Sequence, residues 1–195
     1  MVVDVKVRDN LVDVFLKKNQ QLNLSAIRDR EWVMIKHIQD SLEVVKLGII
    51  GPGMDVIDIG TWGGFPLMPL ALEYSKTNFI WIDSVKKKTV AVNEMIKELW
   101  ITNAKVEWGR IEEFKEEKFG VVIGRAVAYA DKLLKWSYHL LKQWGVFIFM
   151  KQKNKEERDT ILRLLEQYKL KLLQEHAYSL FDGDIERVLY VLEKL

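Results

Sequence analysis

The stretch Asp55-Val-Ile-Asp-Ile-Gly-Thr-Trp-Gly-Gly-Phe-Pro66 constrains the fold more than any other part of the chain. Val56, Ile57 and Ile59 are β-branched, which suits a buried strand on a pleated sheet. Gly60, Gly63 and Gly64 follow at once and permit positive φ and close backbone approach. Pro66 fits the first turn of a helix, where its missing N–H has no partner to lose. Strand, glycine turn and helix start, in this order, are how an α/β domain builds a site for a nucleotide-like ligand.

Length and composition narrow the setting. A chain of 195 residues is expected to form one domain with room for an N-terminal extension. A net charge of +2 does not by itself mark a nucleic-acid partner, so any basic surface must be a local patch. No apolar run approaches the length of a membrane span, and Met1–Asn10 has no signal-peptide pattern. A cytoplasmic, soluble protein with no membrane partner is therefore expected. With no cysteine there is no disulfide, no thiolate metal site and no cysteine nucleophile. Three scattered histidines predict no metal site.

Elements follow from periodicity and punctuation. Leu11, Val12, Phe15 and Leu16 predict a helix over Asn10 to Asn19, and Asp29 is the expected N-cap of a second helix that Gly48 stops. Strands are expected at 55–59, Asn78–Ile82, Lys105–Trp108, Phe119–Gly124 and Val146–Met150. Helices are expected after Pro66, after a Ser84 cap to about Trp100, from Asp131 to Gln143 and from Glu156 to Tyr168. Leu170–Tyr178 and Glu186–Leu192 read as two final strands joined at Asp182-Gly183-Asp184. Alternation predicts an α/β fold, a mostly parallel sheet of seven strands with helices on both faces and a terminal antiparallel hairpin.

The glycine turn excludes two common ligands. The dinucleotide spacing Gly-x-Gly-x-x-Gly fails, because Trp62 stands at the second glycine position, and no Gly-Lys-Ser/Thr follows for a phosphate loop. Asp58 instead suits a ligand with positive charge. Asp83 ends the second strand roughly 20 residues on, where a carboxylate takes ribose hydroxyls. A cationic amino-acid group joined to a ribose is S-adenosylmethionine. The plainer alternative stays open at this point: many α/β proteins carry Gly-Gly after a strand, and Asp83-Ser84 also reads as a helix cap.

Further residues add a resemblance. Asp58-Ile-Gly-Thr-Trp-Gly-Gly-Phe-Pro66 with Pro69-Leu-Ala71 resembles the first motif of the bacterial RsmG (GidB) family. Asn23–Ile27 with His37–Leu42, Asp83–Lys88, Arg110–Glu113, Arg125–Ala128 and Arg187–Val191 are similar to its other blocks, in unbroken order from about Leu22 to Lys194. The resemblance implies a class I, Rossmann-like, S-adenosylmethionine-dependent methyltransferase acting on guanine N7 of 16S ribosomal RNA. It further implies residues 1–50 as an N-terminal helical cap of the same domain, and 51–195 as the cofactor-binding methyltransferase part. The chain departs from the family at Trp62, where glycine is usual, at Lys151-Gln152, where lysine–glycine is usual, and more mildly at Leu67.

The expected cofactor residues are Asp58, Gly60, Thr61, Gly64, Phe65, Asp83, Ile111, Glu112 and Arg125. Arg125, at a strand end, is the expected positioning residue for catalysis, touching the cofactor carboxylate or an RNA phosphate; the alternative pairs it with Asp131. Guanine N7 carries a free lone pair, so no general base is expected. Gly124-Arg-Ala-Val127 is not the Asn/Asp-Pro-Pro-aromatic element of exocyclic-amine methylation. Arg28, Lys86, Lys87, Lys88, Arg110 and Lys151 are the expected RNA contacts: Lys86–Lys88 fall in a first helical turn, where cations oppose the helix dipole, and Lys151 extends a basic rim; a solvated lysine run, and pairing of Arg110 with Glu112 or Glu113, are the alternatives. His37 and Asp40 read as a hydrogen-bonded pair that fixes the N-terminal segment. Most tryptophans read as core, and Trp62 as the residue placed to stack on a flipped base. The expected partner is 16S ribosomal RNA or the small subunit, with the protein a monomer. Two rivals remain: methylation of another acceptor, and a non-catalytic RNA-binding assembly factor with Trp62 blocking the pocket.

Overall fold

The computed structural model describes residues 4–60, 63–115 and 119–195. Thr61 and Trp62, both named above, lie outside the described residues. A seven-stranded sheet forms the centre, in the order β3-β2-β1-β4-β5-β7-β6. Its strands are β1 (Asp55–Ile59), β2 (Asn78–Asp83), β3 (Ala104–Trp108), β4 (Phe119–Arg125), β5 (Leu141–Gln152), β6 (Leu170–Leu180) and β7 (Ile185–Lys194). The first five pair in parallel, while β7 runs antiparallel to both β5 and β6.

Helix α1 (Val5–Leu22) is longer at both ends than its apolar stripe predicts. Asp4 caps the Lys6 N–H at 2.8 Å, and Asn23 in the left-handed region closes the other end onto the Asn19 carbonyl. Asp29 caps the next helix as expected, through Trp32 N–H at 3.0 Å. That helix changes pitch as it goes: α2 (Arg30–Val33), a π turn (Met34–Gln39), α3 (Asp40–Leu42) and a 3-10 turn (Glu43–Leu47). Gly48, at φ 66°, ends it.

The remaining helices are α4 (Leu67–Glu73), α5 (Lys86–Glu98), α6 (Ala130–Ser137) and α7 (Lys155–Gln167). Alternation along β1 sorts them. Val56 faces the layer containing α1, α4 and α5; Ile57 and Ile59 face α6 and α7. Trp81, Phe79 and Phe15 fill the first layer, and Phe147 and Phe149 the second. Each such side chain stabilises the fold by about 1.5–3 kcal/mol through burial.

Three local expectations are corrected. Helix α5 has Val85, not Ser84, at its N-cap position, and the Asp83 carboxylate takes the Val85 N–H at 2.7 Å instead. Strand β5 begins at Leu141, where a helix was expected: Leu141 pairs with Phe119 ahead of an irregularity in the ladder. Trp144, at φ 63°, and Gly145 sit in that irregularity, and a Cβ on Gly145 would stand 3.0 Å from the Gly120 carbonyl oxygen. The tryptophans are not mostly core. Trp100, Trp108 and Trp144 end elements or occupy the irregularity, and all three are exposed.

Candidate active site

Strands β1 and β4 are neighbours at the point where the sheet order reverses, and a crevice opens there at the carboxyl ends of the strands. A cleft of about 420 Å³ occupies it. Gly60, Asp83, Lys88, Arg110, Ile111 and Glu112 all border this cleft, so six of the expected residues converge although they span 53 positions of sequence, 60 to 112. Gly60 adopts φ 57°, and a Cβ there would stand 3.0 Å from Val127. Any side chain at this position would therefore be strained and crowd the cleft wall. Asp83 ends β2 at the lip, held by the Val85 N–H.

Asp58 lies one residue behind, at 1% exposure. By distance and angle neither of its carboxylate oxygens forms a hydrogen bond among the described residues, although the Leu67 backbone N–H is near enough to favour the ionised form. Burial pushes its pKa up to about 8; the Leu67 backbone and the Arg125 cation oppose this and Asp83 adds to it. A buried, unpartnered carboxylate stores unfavourable energy that a cationic ligand would release.

Gly64 and Phe65 serve the core rather than the cleft wall. Gly64 adopts φ 96°, where a side chain would be strained, and a Cβ there would also displace the flexible end of Met68, 2.5 Å away. Phe65 is buried, stacked on His37 with ring centroids 4.8 Å apart and edge-on to Phe15 at 5.0 Å.

Arg125 does not pair with Asp131, and it does not border the cleft. Its Nε sits 3.0 Å from Asp40 Oδ2, and its Nη2 donates to the Lys36 carbonyl at 2.5 Å and meets His37 Nδ1 at 3.1 Å. Asp40 also accepts from Tyr178 at 2.6 Å and from Arg187 at 3.3 and 3.2 Å. One carboxylate thus joins the N-terminal helices to β4, β6 and β7. Burial lowers the Arg125 pKa, and Asp40 opposes that. Burial and the Arg125 charge hold His37 at about 3, so the imidazole is neutral. Its Nδ1 accepts from Arg125, which places the proton on Nε2, facing Ser25 Oγ at 3.1 Å. His37 and Asp40 fix the N-terminal segment: the Asp40 N–H bonds the His37 carbonyl, but their side chains are joined through Arg125 rather than directly.

The expected RNA residues divide. Lys86, Lys87, Arg28 and Arg110 are exposed. Lys86 rests over the Trp108 ring at 5.0 Å, and Arg28 donates to Asn23 at 2.6 Å. Lys151 is a correction: it is buried, 2.6 Å from Glu157 Oε1, and it donates to the Ala128 carbonyl at 2.5 Å. A buried lysine already neutralised this way offers no charge to a phosphate.

A second cleft, of about 470 Å³, abuts the first and shares Ala126 and Val127 with it. Its other borders include Tyr129, Gln152, Asn154 and Arg187. Sequence reasoning missed Tyr129, whose signal was its place four residues past the end of β4. Gln152, at the end of β5, is exposed beside it.

The family model described as "GidB: rRNA small subunit methyltransferase G" matches residues 6–183. A "Ribosomal RNA small subunit methyltransferase G" of Lachnoclostridium phytofermentans is 35% identical over 189 residues, covering 94% of this chain and 78% of that protein. Its namesake in Haemophilus influenzae is 35% identical over 187 residues, covering 94% and 87%. Among solved structures, a "SAM dependent methyltransferase from Aquifex aeolicus" superposes with TM-score 0.65 at 16% identity, over 91% of this chain and 97% of that one. A "ribosomal protein L11 methylase" from Lactobacillus delbrueckii subsp. bulgaricus gives 0.62 at 13%, over 82% and 78%. These two likenesses fix the fold and leave the acceptor to be argued from the site. The sequence relationship goes further: this chain belongs to the GidB family, rRNA small subunit methyltransferase G.

Proposed function

We propose that this protein transfers a methyl group from S-adenosylmethionine to N7 of a guanine in 16S ribosomal RNA. The observation that carries the reading is the pair Asp58 and Asp83 around Gly60: one buried carboxylate without a hydrogen-bond partner, and one at the lip of the cleft. Asp83 suits the two ribose hydroxyls, and Asp58 suits the cationic end of the ligand. Ile111 and Glu112 would flank the adenine, and Gly60 lets the backbone approach closely. The bound cofactor supplies an electrophilic methyl carbon on a sulfonium.

Guanine N7 uses a lone pair and loses no proton on methylation, so the site has to position rather than to deprotonate. Positioning of this kind is worth up to about 7–11 kcal/mol of barrier. Arg125 contributes by anchoring the N-terminal helices to the end of β4, beside the cleft. Exposed Lys86 and Lys87, with Lys88 and Arg110 at the cleft, supply phosphate contacts around it, and exposed Arg28 adds one from the N-terminal segment.

Two measurements test this. Calorimetry with S-adenosylmethionine should give saturable binding; no heat at millimolar cofactor sinks the reading. Incubation with unmodified small subunits and with naked 16S RNA, followed by mapping of the methylated base, should give a single N7-methylguanine. Methylation of an exocyclic amine, or of protein alone, refutes the acceptor assignment.

A further inference from the structure

The proposed function places the cofactor but not the base, and Gln152 has no role in it. The second cleft joins these two gaps. It meets the first at Ala126 and Val127, so a base lying in it would present an edge to the ligand in the first cleft. Its rim carries Tyr129, which is 67% exposed, and the end of β5 carries Gln152, also exposed. Neither the Tyr129 hydroxyl nor the Gln152 amide forms a side-chain hydrogen bond among the described residues, and neither residue borders the first cleft. Lys151, next to Gln152, is held inward by Glu157 and the Ala128 carbonyl. That clamp fixes the backbone from which Gln152 projects.

We propose that the second cleft is the acceptor-base subsite, that Tyr129 stacks on the target guanine, and that the Gln152 amide reads its N1–H and N2 edge. The N7 edge of a purine lies opposite its N1–N2 edge. A guanine with N7 at the shared Ala126–Val127 wall therefore turns its N1–H and amino donors toward the walls that do not border the first cleft, where Gln152 and Asn154 stand. The Gln152 carbonyl is a matching acceptor. Tyr129 supplies a π face at low entropic cost, as base-flipping pockets require. The proposal rests on the acceptor being a guanine.

The test uses reconstituted small subunits carrying guanosine or inosine, which lacks the N2 amine, at the mapped target. The wild-type protein has to methylate the guanosine subunit; failure here overturns the functional reading itself and with it this subsite. Tyr129→Ala should lower kcat/KM about 10- to 100-fold, as loss of one stacked base predicts, with unchanged cofactor affinity and Tm. Tyr129→Phe should keep at least half of the activity. Wild-type protein should prefer guanosine over inosine by about 10-fold, and Gln152→Gly should reduce that preference to less than about 3-fold. Full activity in Tyr129→Ala, or undiminished discrimination in Gln152→Gly, overturns the subsite.

Discussion

Asp40 Oδ2 takes the Arg125 Nε at 3.0 Å, across a contact in which the carboxylate is 1% exposed. The pair spans two layers of the molecule, a helix before the sheet and the end of β4. Its strength comes from completeness: Tyr178 and Arg187 fill the remaining carboxylate lone pairs.

Asp40→Ala should therefore be among the more damaging substitutions outside the cleft. It leaves Arg125 and Arg187, only 11% and 13% exposed, without their counter-ion, and removal of one partner from such a group costs about 3–5 kcal/mol. Urea denaturation measures the loss directly. A decrease below about 1 kcal/mol would mean that the N-terminal helices are held by apolar packing instead.

Asp58→Asn should change how stability depends on pH. The folded pKa of about 8 lies above the ordinary value of 3.8, so the folded protein binds a proton that the unfolded chain has released. The stabilisation this confers is full below about pH 4, and it is lost as pH rises through about 8. The asparagine variant cannot ionise. Its stability relative to wild type should climb between pH 5 and pH 8, by at most about 1.4 kcal/mol per pH unit. Parallel curves for the two proteins would place Asp58 in contact with water.

The same carboxylate predicts proton-linked cofactor binding. A cation beside Asp58 favours its ionised form, so affinity for S-adenosylmethionine should rise from pH 6 to about pH 8 and level off above it. Titration calorimetry in buffers of different ionisation enthalpy should show proton release near pH 7. Asp58→Asn should abolish both effects.

Asp83→Asn should weaken cofactor binding about tenfold or more by removing a charged acceptor from the ribose. An asparagine oxygen can still take the Val85 N–H, so the start of α5 should survive with unchanged Tm. Unaltered affinity would reduce Asp83 to a helix cap.

The lysines separate by burial. Replacing Lys86, Lys87 and Lys88 together with alanine should lower the salt slope of RNA binding by up to about 2–3. Lys151→Ala should instead act on stability, because it strands the buried Glu157. Equal salt slopes for wild type and the triple variant would place the RNA on another face.

How far the sequence could be read depended on the range of the interactions. Val56, Ile57 and Ile59 declared β1 because burial on both faces demands an unbroken apolar run, and the glycines after it placed the turn. Asp83 was legible for a similar reason, being the first polar residue after Phe79–Ile82. Lys151 was not. Its partner Glu157 lies on α7, and only the packing of α7 on β5 brings the charges together. Arg125 was found as a site-end residue, but its partner is 85 residues upstream, beyond any local pattern. The early start of β5 escaped because Trp144 and Gly145 make sense only beside Gly120.

The Asp40 junction also orders events in time. Arg187 stands 147 residues after Asp40, on the final strand. A chain emerging from its own synthesis can form β1 to β4 and still lack that second cation and the Tyr178 hydroxyl. Long-range closure of this kind is slow compared with local helix formation. The N-terminal helices therefore gain their full anchorage only when β7 inserts between β5 and β6, after β1 to β4 are already in place.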